Sequence, residues 1–346
     1  MKLHQNLALG IVSCLNDILK EKKALRPSLN QLLKQNRKWG SRDRRLVGES
    51  VLEIIRWKRL FTEIGKLDPK SNQYYWNLLG IWMLKKKIPL QDWEYFSEIK
   101  TESIEFEFNR KSKARAILQS IPDWLDDLGL KTLGKTVWEK EIENLNNKAP
   151  LVLRVNTFKT SPEKLQNILK KKYDIESSRI PEFPAALFLD KHKKLNHLEL
   201  FKQGWFEIQD ANSQRVSYFA APKPGMLVVD GCAGSGGKTL HLANLMHNKG
   251  RIIALDPHKK KLEQLKVRIK RNGVRMVLVH DLNSEDTFRK YKENADLVLI
   301  DVPCSGLGVL RRNPATKWHM NPSYIEELIK LQQIILKKQS LLVKKG

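Results

Sequence analysis

The sequence has few cysteines, no long apolar run and too few acidic residues to balance its basic ones. Its three cysteines, Cys14, Cys232 and Cys304, form no CxxC pair, so neither a disulfide framework nor a metal site is indicated. No stretch of about 18 uncharged apolar residues occurs, which excludes a membrane-spanning helix. We therefore expect a cytoplasmic monomer without a membrane partner.

Basic residues strongly outnumber acidic residues in the sequence. Lys and Arg number 63 against 38 Asp and Glu, which gives a formal net charge of +25. A balance of this kind favours a polyanionic partner such as nucleic acid. A soluble protein that is simply rich in lysine is the alternative, and charge alone does not decide between the two.

A chain of 346 residues exceeds the usual size of one domain. Residues 1–125 have apolar side chains at helical spacing, as at Val47 and Val51, and predict an all-α domain. Residues 126–222 mix helical and strand-like segments and predict a small α/β connector. In residues 223–346, short apolar runs alternate with helical segments, which predicts parallel βαβ units in a doubly wound, Rossmann-like sheet.

Two features of the helical domain each allow two interpretations. Seven of the nine tryptophans lie in the first 138 residues, and they either fill a helical core, which we favour, or stack on bases: Trp39, Trp57, Trp76, Trp82, Trp93, Trp124 and Trp138. A cluster of basic residues with little local compensation is either a solvated loop or a phosphate-binding segment: Lys34, Arg37, Lys38, Arg42, Arg44 and Arg45.

A glycine-rich turn follows the first strand-like run of the C-terminal region. The segment Asp230-Gly-Cys-Ala-Gly-Ser-Gly-Gly-Lys-Thr239 precedes a helical run, so a ligand can approach its backbone at a helix N-terminus. A P-loop does not fit, because Cys232 stands where its first glycine belongs, and a dinucleotide-binding turn does not fit, because Thr239 replaces its third glycine. An acid ahead of Gly-x-Gly, as in Asp230 before Gly234-Ser-Gly236, is typical of class I methyltransferases.

Acidic residues also end the next two strand-like runs. Asp256 follows the second run, where a carboxylate can accept hydrogen bonds from the ribose hydroxyls of an adenosine cofactor; capping of the next helix is the alternative. Asp281 follows the third run and is placed to meet an adenine amino group, with an ordinary turn aspartate as the alternative.

The fourth run leads into the most specific segment, Asp301-Val-Pro-Cys-Ser-Gly306, followed by Arg311-Arg-Asn-Pro314 and Lys317-Trp318. Pro-Cys stands where enzymes that methylate exocyclic amines have Pro-Pro and an aromatic residue. Carbon 5 of cytosine is a poor nucleophile, and addition of a thiolate at carbon 6 activates it. Cys304 therefore indicates cytosine chemistry, with a small buried hydrophobic residue as the alternative.

These segments resemble the RsmB/Sun family of RNA cytosine-5 methyltransferases. The resemblance rests on four segments in the family order, namely Arg154-Val-Asn156, Gln209-Asp210 with Ser213-Gln214, Cys232 to Thr239, and Asp301 through Trp318. It implies a class I methyltransferase domain behind a helical, NusB-like RNA-binding domain. The sequence departs from the family at Gly234-Ser235, where Ala-Pro is typical, which leaves the turn less constrained.

The resemblance also implies roles for individual residues. S-adenosylmethionine would be bound by the turn and three acids: Cys232, Ala233, Gly234, Ser235, Gly236, Gly237, Lys238, Asp256, Asp281 and Asp301. Lys238 would also lie near the target base. In this family the attacking thiolate belongs to a Thr-Cys motif after the fifth strand, and the Pro-Cys cysteine, here Cys304, assists product release. We expect both that nucleophile and the fifth strand beyond Gly346, which would leave the sheet incomplete and the chain inactive by itself.

The expected function is therefore S-adenosylmethionine-dependent methylation of cytosine carbon 5 in RNA, with small-subunit ribosomal RNA as the substrate. Methylation of transfer RNA at the same atom is the alternative among enzymes. A catalytically inactive RNA-binding assembly factor is the alternative outside enzymes.

Overall fold

The computed structural model describes residues 2–109, 114–190, 195–283 and 285–345. The chain forms two compact units, Met1–Ala149 with Ser305–Glu326 and Pro150–Cys304 with Glu327–Gly346. The division into three domains at residues 125 and 222 stays a prediction.

The first unit, called the helical unit below, contains no strand among its described residues. Its helices are α1 (Gln5–Leu19), α2 (Leu25–Gln35), α3 (Ser41–Arg56), α4 (Lys58–Ile64), α5 (Tyr74–Lys85), α6 (Thr101–Asn109), α7 (Arg115–Leu118), α8 (Asp123–Leu133) and α9 (Lys135–Asn146), with a 3-10 turn at Glu94–Phe96. The returning segment adds a 3-10 turn at Leu307–Val309 and a short helix at Thr316–His319.

Tryptophans of the helical unit fill its core, as the sequence predicts. Trp39, Trp76, Trp82 and Trp138 are buried. The indole N–H of Trp82 donates to the Glu53 carboxylate over 2.8 Å, which satisfies its polar atom inside the core.

Arg44, one residue of the basic cluster, holds the turn between α2 and α3. Its guanidinium donates to the carbonyl oxygens of Leu33, Asn36 and Trp39 at 2.7, 3.0 and 2.9 Å. These carbonyls lie at and after the end of α2, so Arg44 satisfies acceptors that a helix end leaves open. Phosphate contact by the other members of the cluster stays a prediction.

The second unit, the sheet unit, begins with an antiparallel sheet of order β2-β3-β1-β4. Its elements are β1 (Leu151–Val155), α10 (Pro162–Tyr173), β2 (Ser177–Ile180), β3 (Phe183–Leu189), α11 (Glu199–Lys202), β4 (Phe206–Ile208) and α12 (Ala211–Ala220). Only β1 is predicted from the sequence, because the prolines that follow α10 suggest an irregular segment. The β2–β3 register shifts between Arg179 and Ile180, and Pro184 lies beside this irregularity, where a missing N–H is tolerated.

A parallel sheet of order β7-β6-β5-β8 follows, which confirms the Rossmann-like fold. Its elements are β5 (Leu227–Asp230), α13 (Gly237–Leu245), β6 (Arg251–Asp256), α14 (Lys259–Asn272), β7 (Val277–Asp281), α15 (Glu285–Tyr291), β8 (Leu297–Leu299) and α16 (Pro322–Gln339). Val229 and Ile253 are completely buried in it, in keeping with strands covered on both faces.

The chain returns to this sheet after α16. Following a 3-10 turn at Ser340–Leu342, Val343 forms a parallel bridge with Ala295, just before β8. The N–H of Lys344 donates to the carbonyl oxygen of Ala295 over 2.9 Å, and its ammonium lies 2.5 Å from Asp296. Val343 and Lys344 therefore meet the chain just before β8, while β8 itself pairs only with β5 among the described residues. Gly346 itself lies outside the described residues.

No helix among the described residues is long and apolar enough to span a membrane.

Candidate functional site

Four aspartates mark the carboxyl edge of the parallel sheet. Asp230, Asp256 and Asp281 end β5, β6 and β7, and Asp301 follows β8. Carboxyl ends of parallel strands share one edge, and Asp256 is the register partner of Asp281. The strand order reverses between β5 and β8, and ligands of such sheets bind in the crevice at this reversal.

The glycine turn after β5 needs glycine at Gly236. Its φ is +89°, and an added Cβ would lie 2.2 Å from a methyl carbon of Leu265. Gly236 is also the N-cap of α13, whose first amide groups have no acceptor within the helix. The turn therefore presents backbone donors and the positive end of a helix dipole, which suit an anionic group.

Two arginines hold the carbonyl groups of this turn. Arg268 donates to the Ser235 carbonyl oxygen at 2.6 Å and to its hydroxyl at 3.1 Å. Arg154, which is almost completely buried, donates to the Gly237 carbonyl oxygen and to the Gln209 side chain, each at 2.6 Å. The turn is thus constrained by side chains, although Ser235 stands in place of the proline typical of the family.

Glu207 anchors the arginine on α14. Its carboxylate accepts from Arg268 at 3.0 Å, Arg271 at 2.5 Å and Asn272 at 2.6 Å. Burial raises the pKa of Glu207, but the neighbouring guanidinium charges and these hydrogen bonds outweigh it and hold the pKa below its usual range. The sequence gives no local signal for Glu207 or Arg268. Arg154 stands in a recognisable motif, but its role is visible only in the structure.

Asp256 shapes the turn as well as ending β6. One carboxylate oxygen accepts from the Gly234 N–H at 2.9 Å. The other accepts from the His258 N–H at 2.8 Å and lies 2.9 Å from its ring Nδ1. A carboxylate has about four acceptor positions, so room for one ligand hydroxyl remains. The N-cap of α14 is His258, which leaves the helix-capping alternative for Asp256 without support.

Asp230 is buried with one oxygen unsatisfied. The Thr239 hydroxyl donates to one carboxylate oxygen over 2.6 Å, and the other has no partner among the described residues. Burial raises the pKa of Asp230 to about 6, and the nearby charge of Asp301 adds to the effect against the opposing hydrogen bond from Thr239.

The remaining charged site residues lie in more open positions. Lys238 forms a close ion pair with Asp301, whose side chain is 49% exposed. One oxygen of Asp281 accepts from the Asn283 N–H at 2.9 Å, and no protein partner binds the other within the described part of the chain. Asp281 and Asp301 therefore retain acceptor capacity for a ligand.

The three cysteines differ sharply in environment. Cys304, directly after β8, is exposed, so the alternative of a small buried hydrophobic residue is wrong. Burial raises the pKa of Cys232 to about 11 and that of Cys14 to about 12. Both of these thiols stay protonated near neutral pH, which makes them poor nucleophiles.

Helix α16 supports two loops of this edge, a role that sequence analysis does not reveal. Gln339 donates to the Gly231 carbonyl oxygen at 2.8 Å, and an added Cβ on Gly231 would lie 1.6 Å from the Gln339 amide oxygen. Gln332 donates to the Pro303 carbonyl oxygen at 2.8 Å, next to Cys304.

Two family models match the chain. Residues 217–346 match the 16S rRNA methyltransferase RsmB/F model, and residues 121–196 match the ferredoxin-like domain of RsmF/B-like methyltransferases. A protein of Synechocystis sp. named probable ribosomal RNA small subunit methyltransferase B is 36% identical over 229 residues. That alignment covers 66% of this chain and 51% of the relative, so the chain spans about half the length of the curated relatives it matches.

Solved structures share the fold. The crystal structure of PH0851 matches 100% of this chain and 85% of its own length, with a TM-score of 0.79 and 24% identity. A methyltransferase homologue from Pyrococcus horikoshii covers 67% of this chain and 72% of its own, with a TM-score of 0.58 and 28% identity. These structures show the fold, and the two family models together with the curated relatives confirm the resemblance of the chain to the RsmB/Sun family of methyltransferases.

Proposed function

We propose that the chain is the helical and cofactor-binding part of an S-adenosylmethionine-dependent enzyme that methylates carbon 5 of cytosine in small-subunit ribosomal RNA. The observation that carries this proposal is the carboxyl edge of the parallel sheet. It brings together the glycine turn, Asp256, Asp281, Asp301 and the exposed thiol of Cys304. A cofactor site and an accessible cysteine at one strand edge suit methyl transfer to a pyrimidine carbon.

The residues at this edge fit S-adenosylmethionine by their donor and acceptor character. The amides of Gly237 and Lys238 at the start of α13 suit its carboxylate, and the free acceptor position of Asp256 suits a ribose hydroxyl. The open oxygen of Asp281 suits the adenine amino group. When bound, the cofactor would supply an electrophilic methyl group. Cys232 to Ser235 would line it through the backbone of the turn.

Methylation at carbon 5 requires a thiolate that adds to the base and a base that removes the carbon 5 proton. A thiolate adds to carbon 6 and makes carbon 5 nucleophilic; once carbon 5 carries the methyl group, it loses its proton and the thiolate leaves. We assign the release step to Cys304, which is accessible, and place Lys238 near the base. The base must leave its stack to reach this edge.

We propose that these 346 residues do not complete the reaction alone. None of the three cysteines follows a threonine, so the Thr-Cys motif that supplies the attacking thiolate in this family is not within them. The thiols of Cys14 and Cys232 are also unsuited to attack, because burial keeps them protonated.

Ribosomal RNA is favoured as the substrate by the names of the relatives, and the net charge of +25 supports an RNA partner. Transfer RNA is the second candidate. We further propose a cytoplasmic, monomeric enzyme that takes part in ribosomal RNA processing.

The test uses the chain extended through a Thr-Cys segment, with methyl-labelled S-adenosylmethionine and purified small-subunit ribosomal RNA or transfer RNA. We expect 5-methylcytidine in digests of the ribosomal RNA and no transfer by the 346-residue chain. Methyl label in transfer RNA but not in ribosomal RNA would make transfer RNA the substrate. An extended chain that binds RNA but transfers no label would favour the assembly factor.

A further inference from the structure

The helical unit contains a cavity of about 840 Å³ that the proposed reaction does not use. Its wall is formed by the end of α1, the start of α4, the turn before α5 and Trp318 from the returning segment. This volume lies within the range of ligand sites, roughly 300–1,000 Å³. All of its lining residues belong to the helical unit.

The charge of the cavity wall is positive. Lys20, Lys58, Arg59 and Lys70 line it, and no acidic residue does so in the described part of the unit. Arg59 is already bound to Asp123 at 2.7 Å. Lys20 and Lys70 are exposed and have no carboxylate partner among the described residues. The free cations of the wall are therefore suited to an external anion.

Lys58 supplies the second observation. Its ammonium lies 4.4 Å from the centroid of the Trp318 ring, and no carboxylate pairs with it within residues 2–109, 114–149 and 305–326. Burial lowers the pKa of Lys58. The ammonium groups of Lys58 and Lys317 are close enough to repel each other. A half-buried cation without a counter-charge is unfavourable, and an anion at this position would relieve the cost.

Aromatic rings complete the wall. Trp318 is fixed because its indole N–H donates to the Ile55 carbonyl oxygen at 2.7 Å. Tyr75 is partly exposed, and Tyr74 packs edge-on against it, with the hydroxyl of Tyr74 2.7 Å from that of Thr62. Aromatic side chains interleaved with cations are the usual composition of a site for single-stranded nucleic acid.

We infer that this cavity binds one nucleotide of a single-stranded RNA segment. The phosphate lies against Lys20, Lys58 and Lys70, and the base packs against Tyr75. This inference rests on the proposed RNA substrate and gives it a second contact apart from the carboxyl edge of the sheet. An acidic protein segment would use the cations but would leave the aromatic rings without a role.

The experiment measures binding of a short fluorescein-labelled oligouridylate to the 346-residue chain by anisotropy at a series of salt concentrations. The double variant Lys20→Gln with Lys70→Gln should reduce the slope of log affinity against log salt by up to about 0.7, because one phosphate contact on a single strand contributes about 0.7. The control, Lys131→Gln with Lys135→Gln, makes the same charge change at exposed positions of α8 and α9 and should leave the slope unchanged.

A second variant separates stacking from charge. Tyr75→Ala should weaken oligouridylate binding by about 5- to 100-fold at every salt concentration, with an unchanged slope, because it removes a ring and no charge. Tyr75→Phe keeps the ring and should bind like the wild type. Circular dichroism confirms that each variant is folded.

The outcomes are distinct. If the wild type binds oligouridylate and both cavity variants match it in affinity and slope, the inference is overturned while the proposed substrate class stands. Absence of any RNA binding by the wild type would overturn both. If the lysine variant loses labelled polyglutamate but keeps oligouridylate, the cavity is a site for an acidic protein segment, and the inference is again overturned.

Discussion

Arg268 holds the glycine turn from a distant position in the sequence. It bonds both the carbonyl and the hydroxyl oxygen of Ser235, and Glu207 fixes its guanidinium from the antiparallel sheet. A turn without the proline of its family can thus remain ordered. Because cofactor affinity depends on a preformed backbone cradle, Arg268 acts on binding as a positioning residue.

Arg268→Ala should weaken S-adenosylmethionine binding by about tenfold, or about 1.4 kcal/mol, because the turn loses both hydrogen bonds. Titration calorimetry measures the effect. Arg271→Ala is the matched control, since Arg271 also pairs with Glu207 but does not touch the turn. Equal losses of affinity in the two variants would show that the bonds from Arg268 to Ser235 are not the cause of the effect.

Asp256→Ala should weaken S-adenosylmethionine binding by several-fold to about a hundredfold, on the order of 1–3 kcal/mol for a charged hydrogen-bond partner. The loss has two sources, the ribose contact that we propose and the bond from the Gly234 N–H. Equilibrium dialysis gives the affinity. An unchanged affinity in a folded variant would remove Asp256 from the cofactor site.

Asp230 should make stability depend on pH. Its pKa rises from 3.8 to about 6 on folding, so the folded state holds the proton more tightly and loses stability as pH rises from about 4 to 6. The penalty is complete above about pH 6 and amounts to about 3 kcal/mol. In Asp230→Asn this penalty is absent, and the free energy of unfolding relative to wild type should increase across that window. Parallel curves for the two proteins, measured by urea unfolding, would contradict the assignment.

At the scale of elements, the parallel strands are predictable and the antiparallel ones are not. The runs that become β5 to β8 are short, apolar and separated by helical segments, so pattern alone identifies them. Pro181 and Pro184 break the pattern around β2 and β3, and Pro184 lies beside a register shift that no local signal predicts. The edge aspartates follow from the strands, whereas Arg268 and Gln339 reach the turn through tertiary packing.

The structure of the last residues can likewise be predicted from the sequence only in part. The sequence predicts a helix from Tyr324 to Val343, whereas α16 spans Pro322–Gln339 and ends four residues earlier. The turn at Ser340–Leu342 and the bridge from Val343 to Ala295 depend on the position of β8, which lies far away in the sequence. The pairing of Val343 with Ala295 therefore cannot be predicted from the sequence and is seen only in the structure.

At the scale of the whole molecule, the helical unit is built from two separate parts of the chain. Residues 305–326 lie in sequence between the two parts of the sheet unit but pack within the helical unit, where Lys317 donates to the Arg56 carbonyl oxygen at 2.9 Å. Lys317 is buried, and burial lowers its pKa to about 7. From the sequence alone, residues 305–326 are assigned to the catalytic domain, because the Pro-Cys motif directly precedes them.

The central claim, cytosine methylation with Cys304 in product release, is tested most directly by trapping the RNA. The chain extended through a Thr-Cys segment and carrying Cys304→Ala is incubated with S-adenosylmethionine and labelled small-subunit ribosomal RNA, then run on a denaturing gel. We predict a slow-migrating, protease-sensitive band that the Cys304 protein does not accumulate, because attack survives while release is impaired. Transfer of methyl groups to cytosine carbon 5 by the 346-residue chain itself would contradict the account, since Cys304 would then be the nucleophile.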